Sequence, residues 1–333
     1  MKTKELKKAL EMVKPGLANQ DMIEQTTSFA FTNDKVITYN DEISISYPLK
    51  SEIEGVVEAS QLSAFLGKIK NEEIEIETSE KELIIKVGKA KAGFVLTKEI
   101  KLPFAEIGKV QKWKEIPKDF VQILKKVVGT CSADMLQPSI NCVHINQSGF
   151  IEATNNFTIL RYKVLDIKFA TILIPASSVQ AVIRFNPEKI SVGEGWVHFI
   201  NSDKAVLSCR IMEEVFPDTS KFLEIEGTEL KLPSQLKESI DKAEIFAKSD
   251  LSESELVKIT LKENSLLLEA SGELSWYKDK IRVRYNAQPF TFETNAPTLK
   301  RILEEESKCI LNENLLKFEK DNWAYVTSLI AEN

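Results

Sequence analysis

Histidine is scarce in this chain, with two among 333 residues, His144 and His198, and that scarcity narrows the chemistry available to it. Both lie in alternating strand patterns, where an imidazole is an ordinary strand side chain sooner than a base or a metal ligand. Cysteine is also sparse: Cys131, Cys142, Cys209 and Cys309 are widely spaced, with no Cys-x-x-Cys and no zinc-site spacing. Buried, reduced thiols are therefore expected, with neither disulfides nor metal. Also missing are a G-x-x-x-x-G-K-[ST] phosphate loop, a G-x-S-x-G elbow and an H-E-x-x-H helix. Carboxylates are plentiful but scattered, and the run Glu304 to Glu306 falls at a helix end where solvation is the default. No cofactor and no enzymatic activity is expected; an enzyme would need a deep pocket of converging polar groups that no motif announces.

Long apolar runs are absent too, and none approaches the ~18 residues of a membrane span. The first residues, MKTKELKKALEMVK, form an amphipathic charged pattern without the apolar centre of a signal peptide. An intracellular, cytoplasmic protein without membrane contact is the expectation. Glycine and proline, at 12 and 11, are too few for a fibrous or disordered chain, and 43% apolar with 28% charged residues is ordinary for a globular one.

What is present is repetition. VITYNDEISISYPL from Val36, FIEATNNFTILRYKV from Phe150 and LLEASGELSWYKDK from Leu267 each alternate, break at a polar cluster and resume, the pattern of a hairpin. Thr38, Glu152 and Glu269 align at offsets of 114 and 117 residues. Helix starts recur at Thr3, Pro117 and Pro233, with proline read into the first turn. A second helix recurs as EASQLSAFLGKI, PASSVQAVIRF and NAPTLKRILEEE, bringing Leu62, Val179 and Leu299 into register, and likewise Leu66, Ile183 and Leu303. A strand pair follows each. Four landmarks in one order at one period read as a triplication. The domains would span 1–110, 111–222 and 223–333, with junctions near Ile107–Glu115 and Phe216–Thr228. Strands and helices grouped in this way predict an α+β fold, an antiparallel sheet with two helices on one face of each unit.

Charge is unevenly placed. The formal net charge is -6, which argues mildly against indiscriminate nucleic-acid binding, yet Met1 to Lys14 holds five lysines against two glutamates. The segments of the first two repeats predicted as helices are all net positive, whereas Pro233–Ala247 and Pro297–Glu306 are each net -1. Lys4, Lys7, Lys8 and Lys14 project opposite Leu6, Leu10 and Val13 and would be free to meet phosphate. Lys68, Lys125, Lys126, Arg184, Lys237, Lys300 and Arg301 occupy the corresponding helices. Exposed lysines also merely keep a helix soluble, but their concentration on the helices of an acidic chain suits a protein that tracks a polyanion. Few aromatics interleave with them, so backbone contact with duplex is favoured over base stacking.

With these landmarks placed, the chain resembles the bacterial-type sliding clamp, the β subunit of replicative DNA polymerase, in a phage-encoded or divergent form. The resemblance covers essentially the whole chain. Its most specific parts are VFPDTSKFL at Val215 to Leu223, IPASSVQAVI from Ile174 and the near-terminal AYVTSLI. It implies three tandem clamp domains and a homodimeric, head-to-tail ring with helices lining a central hole around duplex DNA. It also implies partners, the replicative polymerase and the clamp loader, that dock by short peptide motifs. Ring closure would use Lys89, Lys91 and Phe94 on the first-domain edge, and Ile245, Phe246 and Glu273 on the third-domain face. The peptide cleft would use Thr154, Ile159, Pro217, Phe222, Asn295, Val326, Ser328 and Ile330. Two departures stand out. Asn155-Asn156-Phe157-Thr158-Ile159 replaces the common Asp-Gly-His-Arg-Leu, and Ser328-Leu329-Ile330 replaces a Met-Pro-Met-Arg-like end. Packing alone also accounts for residues of these types. A structural repeat or assembly protein with no DNA role is the rival reading.

Overall fold

The computed structural model describes residues 1–32, 34–247 and 255–331, the last two by their backbone alone. Three segments repeat one order: helix, four strands, helix, three strands. The first holds α1 (Thr3–Val13), β1 (Ser28–Phe31), β2 (Lys35–Tyr39), β3 (Ile43–Pro48), β4 (Gly55–Glu58), α2 (Ala59–Lys68), β5 (Glu75–Thr78), β6 (Glu82–Val87) and β7 (Ala90–Val95). After the short β8 (Lys114–Glu115) come α3 (Phe120–Val127), β9 (Cys142–Asn146), β10 (Phe150–Thr154), β11 (Thr158–Lys163), β12 (Ile172–Pro175), α4 (Ala176–Phe185), β13 (Lys189–Val192), β14 (Trp196–Ile200) and β15 (Val206–Arg210). The third follows α5 (Ser220–Leu223) and β16 (Thr228–Lys231). It holds α6 (Gln235–Ala247), β17 (Leu256–Lys262), β18 (Ser265–Ser271), β19 (Trp276–Arg282), β20 (Phe290–Asn295), α7 (Ala296–Leu303), β21 (Lys308–Leu311), β22 (Leu315–Lys320) and β23 (Trp323–Ser328), and ends at β24 (Ile330–Ala331). The architecture is α+β, and each second helix is followed by a three-stranded meander where the sequence suggested a strand pair.

By packing, the chain forms two compact units, one of Met1–Val128, Cys142–Gly149 and Leu165–Glu214, the other of Gly129–Asn141, Phe150–Val164 and the chain from Val215 on. In the first unit β4-β1-β2-β3 runs directly into β15-β14-β13-β8 as one sheet, with Ile45 opposite Leu207 at the join. In the second, β10 and β11 run into β23-β22-β21-β16, with Leu160 opposite Tyr325. The rule is the same in both places: the third strand of one repeat pairs with the last strand of the next. Two smaller sheets, β5-β6-β7 and β19-β18-β17-β20-β24, contain the strands this rule leaves over.

Apolar spacing explains why the helices seat on these sheets. Leu6, Ala9, Leu10 and Val13 recur at three and four residues along α1 and are at most 3% exposed, the stripe an amphipathic helix turns to its core. The second-helix register holds at Leu62, Val179 and Leu299, all buried. One turn on it diverges: Leu66 is buried, but Ile183 and Leu303 are half-buried and Val182 and Ile302 take the core position. The i, i+3 and i, i+4 positions of a helix share a face, so either satisfies the pattern. The helix starts also correct the sequence reading. Pro117 and Pro233 precede the first helical residues, and their carbonyls accept from the amides of Phe120 and Leu236 at 3.0 Å each. The turn closes ahead of the helix, and proline serves it by fixing φ.

The segment joining the first two repeats is packed in place. Ile100, Phe104 and Ile107 rest on a buried cluster of Ala30, Tyr39, Val56, Leu102 and Trp196. Burial pushes the Cys142 and Cys309 thiols up to about 12, and Cys209 up as well, so the three are core side chains without thiolate chemistry at neutral pH. Gly55 shows how tightly the first unit is built, having φ +124 and a missing Cβ that would lie 2.5 Å from the Thr97 carbonyl oxygen. Gly55→Ala is expected to lower unfolding free energy by about 1–3 kcal/mol, through strain and overpacking together, as read from a urea midpoint. A change below a few tenths would mean that the β4 start relaxes freely.

Candidate functional site

The residues expected at a partner cleft start with the opening hairpin of the second repeat. Strands β10 and β11 turn through Asn155–Phe157, with Asn156 at φ 74, a left-handed position that asparagine tolerates. Asn155 Oδ1 accepts from the Phe157 and Thr158 amides and the Thr158 hydroxyl, at 3.1, 2.8 and 2.8 Å. Register then sets Thr154 opposite Ile159 and Ile159 opposite Val326. Side chains directly opposed across a sheet share a face, so these three form one row. The row is well packed, with Thr154, Ile159 and Val326 at 4, 8 and 2% exposure. Ser328 lies on the same face, and its amide donates to the Phe157 carbonyl at 2.7 Å. The phenyl ring of Phe157 is exposed.

The segment after Glu214 is fastened to this face two residues along from Thr154. Glu152 is 2% exposed and lies opposite Arg161. Its Oε2 accepts from Arg161 Nε at 2.8 Å and from the Thr219 hydroxyl at 2.7 Å, while Arg161 Nη2 donates to Thr219 Oγ1 at 2.7 Å. The guanidinium also covers the Phe150 ring at 4.3 Å. Thr219 is buried, whereas Pro217 and Phe222 remain exposed, a ridge beside the row. Asn295 is engaged elsewhere, its Oδ1 capping α7 by accepting from the Thr298 amide at 3.0 Å. Ile330 belongs to β24 by its backbone, and its side chain lies outside the described residues. The structure thus brings together Thr154, Ile159, Val326 and Ser328, places Pro217 and Phe222 on the anchored segment, and gives Asn295 to helix capping. Sequence reading missed Glu152, Arg161 and Thr219 as a network. The acid–base pair was legible, since an alternating hairpin with this turn sets residues 152 and 161 opposite one another.

The helix cations fall into three groups. Lys4, Lys68, Lys125 and Arg184 are exposed on α1, α2, α3 and α4, and Lys14 is exposed with a loose contact to Glu11 at 3.7 Å. Lys126 is half-buried. Lys7 and Lys8 correct the expectation that they stand free. Lys7 Nζ donates to the Ile69 carbonyl at 2.7 Å, helping to hold α1 to the end of α2, and Lys8 pairs with Asp203 at 2.5 Å. Lys237 pairs with Glu304 at 2.9 Å; Lys300 contacts Asp241 and also Glu244 at 3.3 Å. These α6–α7 pairs consume their cations internally, and Arg301 is half-buried.

The edge residues occupy two sheet margins. In the first unit, β7 carries Lys91 and Phe94, with Lys89 in the turn before it; Phe94 lies 5.6 Å from the Phe65 ring of α2 and is half-buried. In the second unit β19 is an edge strand that begins at the exposed Trp276, with exposed Glu273 and Leu274 in the bend before it. Ile245 on α6 is exposed, and Phe246 stacks on Tyr277 at 5.7 Å. Among the described residues no group of three or more His, Cys, Asp or Glu side chains could hold a metal. No described helix is long and apolar enough to cross a membrane.

This architecture is the sliding-clamp fold, repeated along the whole chain. Solved structures define it: a DNA polymerase sliding clamp from Bacillus subtilis superposes with a TM-score of 0.85 at 17% identity, covering 100% of this chain and 98% of that one. The DNA polymerase III subunit beta from Pseudomonas aeruginosa gives 0.83 at 15%, covering 100% and 99%. A putative DNA polymerase III beta subunit from Eubacterium rectale gives 0.86 at 12%, covering 99% and 97%. No protein-family model and no curated protein matches the chain by sequence.

Proposed function

We propose that the protein is a DNA sliding clamp, a non-catalytic homodimeric ring that encircles duplex DNA and tethers the replicative polymerase. One observation carries this reading beyond the fold. The third strand of a repeat pairs with the last strand of the next at β3–β15 and at β11–β23, and the same rule leaves β19 and β7 as unmatched edges. A third repeat that follows the rule needs the β7 of another chain, and two chains joined in this way at both ends close. Exposed edge strands invite such pairing, and Leu274, Trp276 and Val95, all exposed, supply apolar surface for it. Lys89, Lys91, Phe94, Ile245, Phe246 and Glu273 fall at these margins, and the repeats divide at 1–110, 111–222 and 223–333.

Exposed cations on α1 to α4 would touch phosphates weakly and without reading sequence. The row of Thr154, Ile159, Val326 and Ser328, beside the ridge of Pro217 and Phe222, would receive short peptides from the polymerase and the clamp loader. Tethering raises the local concentration of the enzyme at its template without touching its chemistry. The work is done where the DNA is, in the cytoplasm. Loaded on a nicked circular plasmid, the protein is expected to survive gel filtration on the DNA and to be lost once the circle is cut. Equal loss from circular and linear DNA would sink the proposal.

A further inference from the structure

The row that begins at Thr154 continues past Val326. Val326 lies opposite Lys317, Lys317 opposite Ile310, and Ile310 opposite Glu229. There the face opens into a concavity of about 500 Å³ whose charged lining is four cations, Lys231, Arg284, Lys308 and Lys317, against two acids, Glu229 and Glu319. Alternation along β16, β21 and β22 puts Lys231, Lys308 and Lys317 on the same face as Ile159 and Val326. Lys317 is 8% exposed and pairs with Glu319 at 2.6 Å. Lys231 and Lys308 are exposed and directly opposed on paired strands, an arrangement of like charges that disfavours the sheet. Three other cations of this repeat are met by acids, Lys237 by Glu304, Lys278 by Glu269, and Lys300 by Asp241 and Glu244. A surplus of positive charge gathered in a concavity of a chain with net charge -6 is complementary to an anionic ligand.

We infer that this concavity holds an acidic residue of the partner peptide, so that the cleft selects motifs in which Asp or Glu accompanies the apolar anchor. The inference rests on the peptide-cleft reading above. Val326 and Ile310 are two strand spacings apart, about 10 Å, which an extended peptide crosses in roughly three residues. A peptide seating apolar side chains over Ile159 and Val326 therefore brings a carboxylate three residues away to the exposed ammonium group of Lys308 and the exposed guanidinium of Arg284.

Two synthetic peptides test it. They share a Leu-Leu-Phe anchor and carry, three residues away on both sides, either Asp or Asn. At low salt the Asp peptide is expected to bind the full-length protein about tenfold more tightly, the effect of one charge-assisted hydrogen bond, and salt should close the gap. The double variant Arg284→Gln, Lys308→Gln should bind the two peptides equally, with its affinity for the Asn peptide unchanged. A thermal melt of the variant checks that these exposed changes leave the fold intact. Equal binding of both peptides to the unmodified protein would overturn the inference and leave the cleft reading standing; binding of neither would overturn both. Inorganic pyrophosphate that binds without displacing the Asp peptide would also overturn it, making the concavity a site for small phosphates.

Discussion

Arg161→Ala is expected to lower the unfolding free energy by about 3–5 kcal/mol, because it leaves the Glu152 carboxylate buried and without its cation. Glu152 is 2% exposed and Arg161 has 16% side-chain exposure, so water screens little of the pair. Thr219 loses one of its two bonds in the same stroke, and the ridge of Pro217 and Phe222 loses its anchor. The urea midpoint should fall, and affinity for either anchor peptide should fall with it. The triple variant Glu152→Leu, Arg161→Met, Thr219→Val removes all three partners together and should recover most of the stability, since exchange of a buried pair for apolar groups is close to neutral. A loss under 1 kcal/mol for Arg161→Ala would show that the carboxylate is solvated and the segment held by other contacts.

Reversing Lys4, Lys125 and Arg184 to Glu should weaken direct binding of the protein to duplex DNA at low salt by about tenfold or more, while a ring already closed on a nicked circle stays linked to it. It should also flatten the dependence of log affinity on log salt by roughly 0.9 for each phosphate that the helices no longer neutralise. All three are exposed, so the thermal midpoint should barely move. Lys237→Glu with Lys300→Glu gives the opposite pattern. Their partners are Glu304, Asp241 and Glu244, so reversal gathers acids between α6 and α7 and should lower the midpoint while changing the salt slope little. If the first variant holds DNA as the unmodified protein does, the helix surface is not where DNA is held.

The hairpin of Phe150–Lys163 was fully legible in the sequence, because alternation sets its faces and the Asn155-Asn156 break sets its turn, so its register followed. The helices themselves were legible from apolar spacing. Thr3 does open α1, but the first residues of α3 and α6 were not legible, since a proline that closes a turn before a helix looks in sequence like one inside its first turn. Ile183 and Leu303 were misplaced for a related reason, both neighbouring positions lying within the apolar face. The fate of Lys7 could not be read at all: its acceptor, the Ile69 carbonyl, is 62 residues away, and nothing local marks it. The shared sheets were equally hidden, because strand alternation declares which face is buried and says nothing about which distant strand lies alongside. The basic concavity stayed out of view for the same reason. Lys231, Lys308 and Lys317 are ordinary one at a time and acquire meaning only through their register.

The joins at β3–β15 and β11–β23 also mean that the unit of sequence and the unit of folding differ. A fragment cut near residue 110 keeps a complete repeat by alignment, yet strips Ile43–Pro48 of the neighbour that covers its outer edge. Such a fragment is an unfinished object, with an adhesive margin made of its own backbone, and more fragments of its kind are what fit there. A chain of three repeats covers two such margins internally and leaves one pair over, so the ring proposed above would need only two separate pieces to find each other where single repeats would need six.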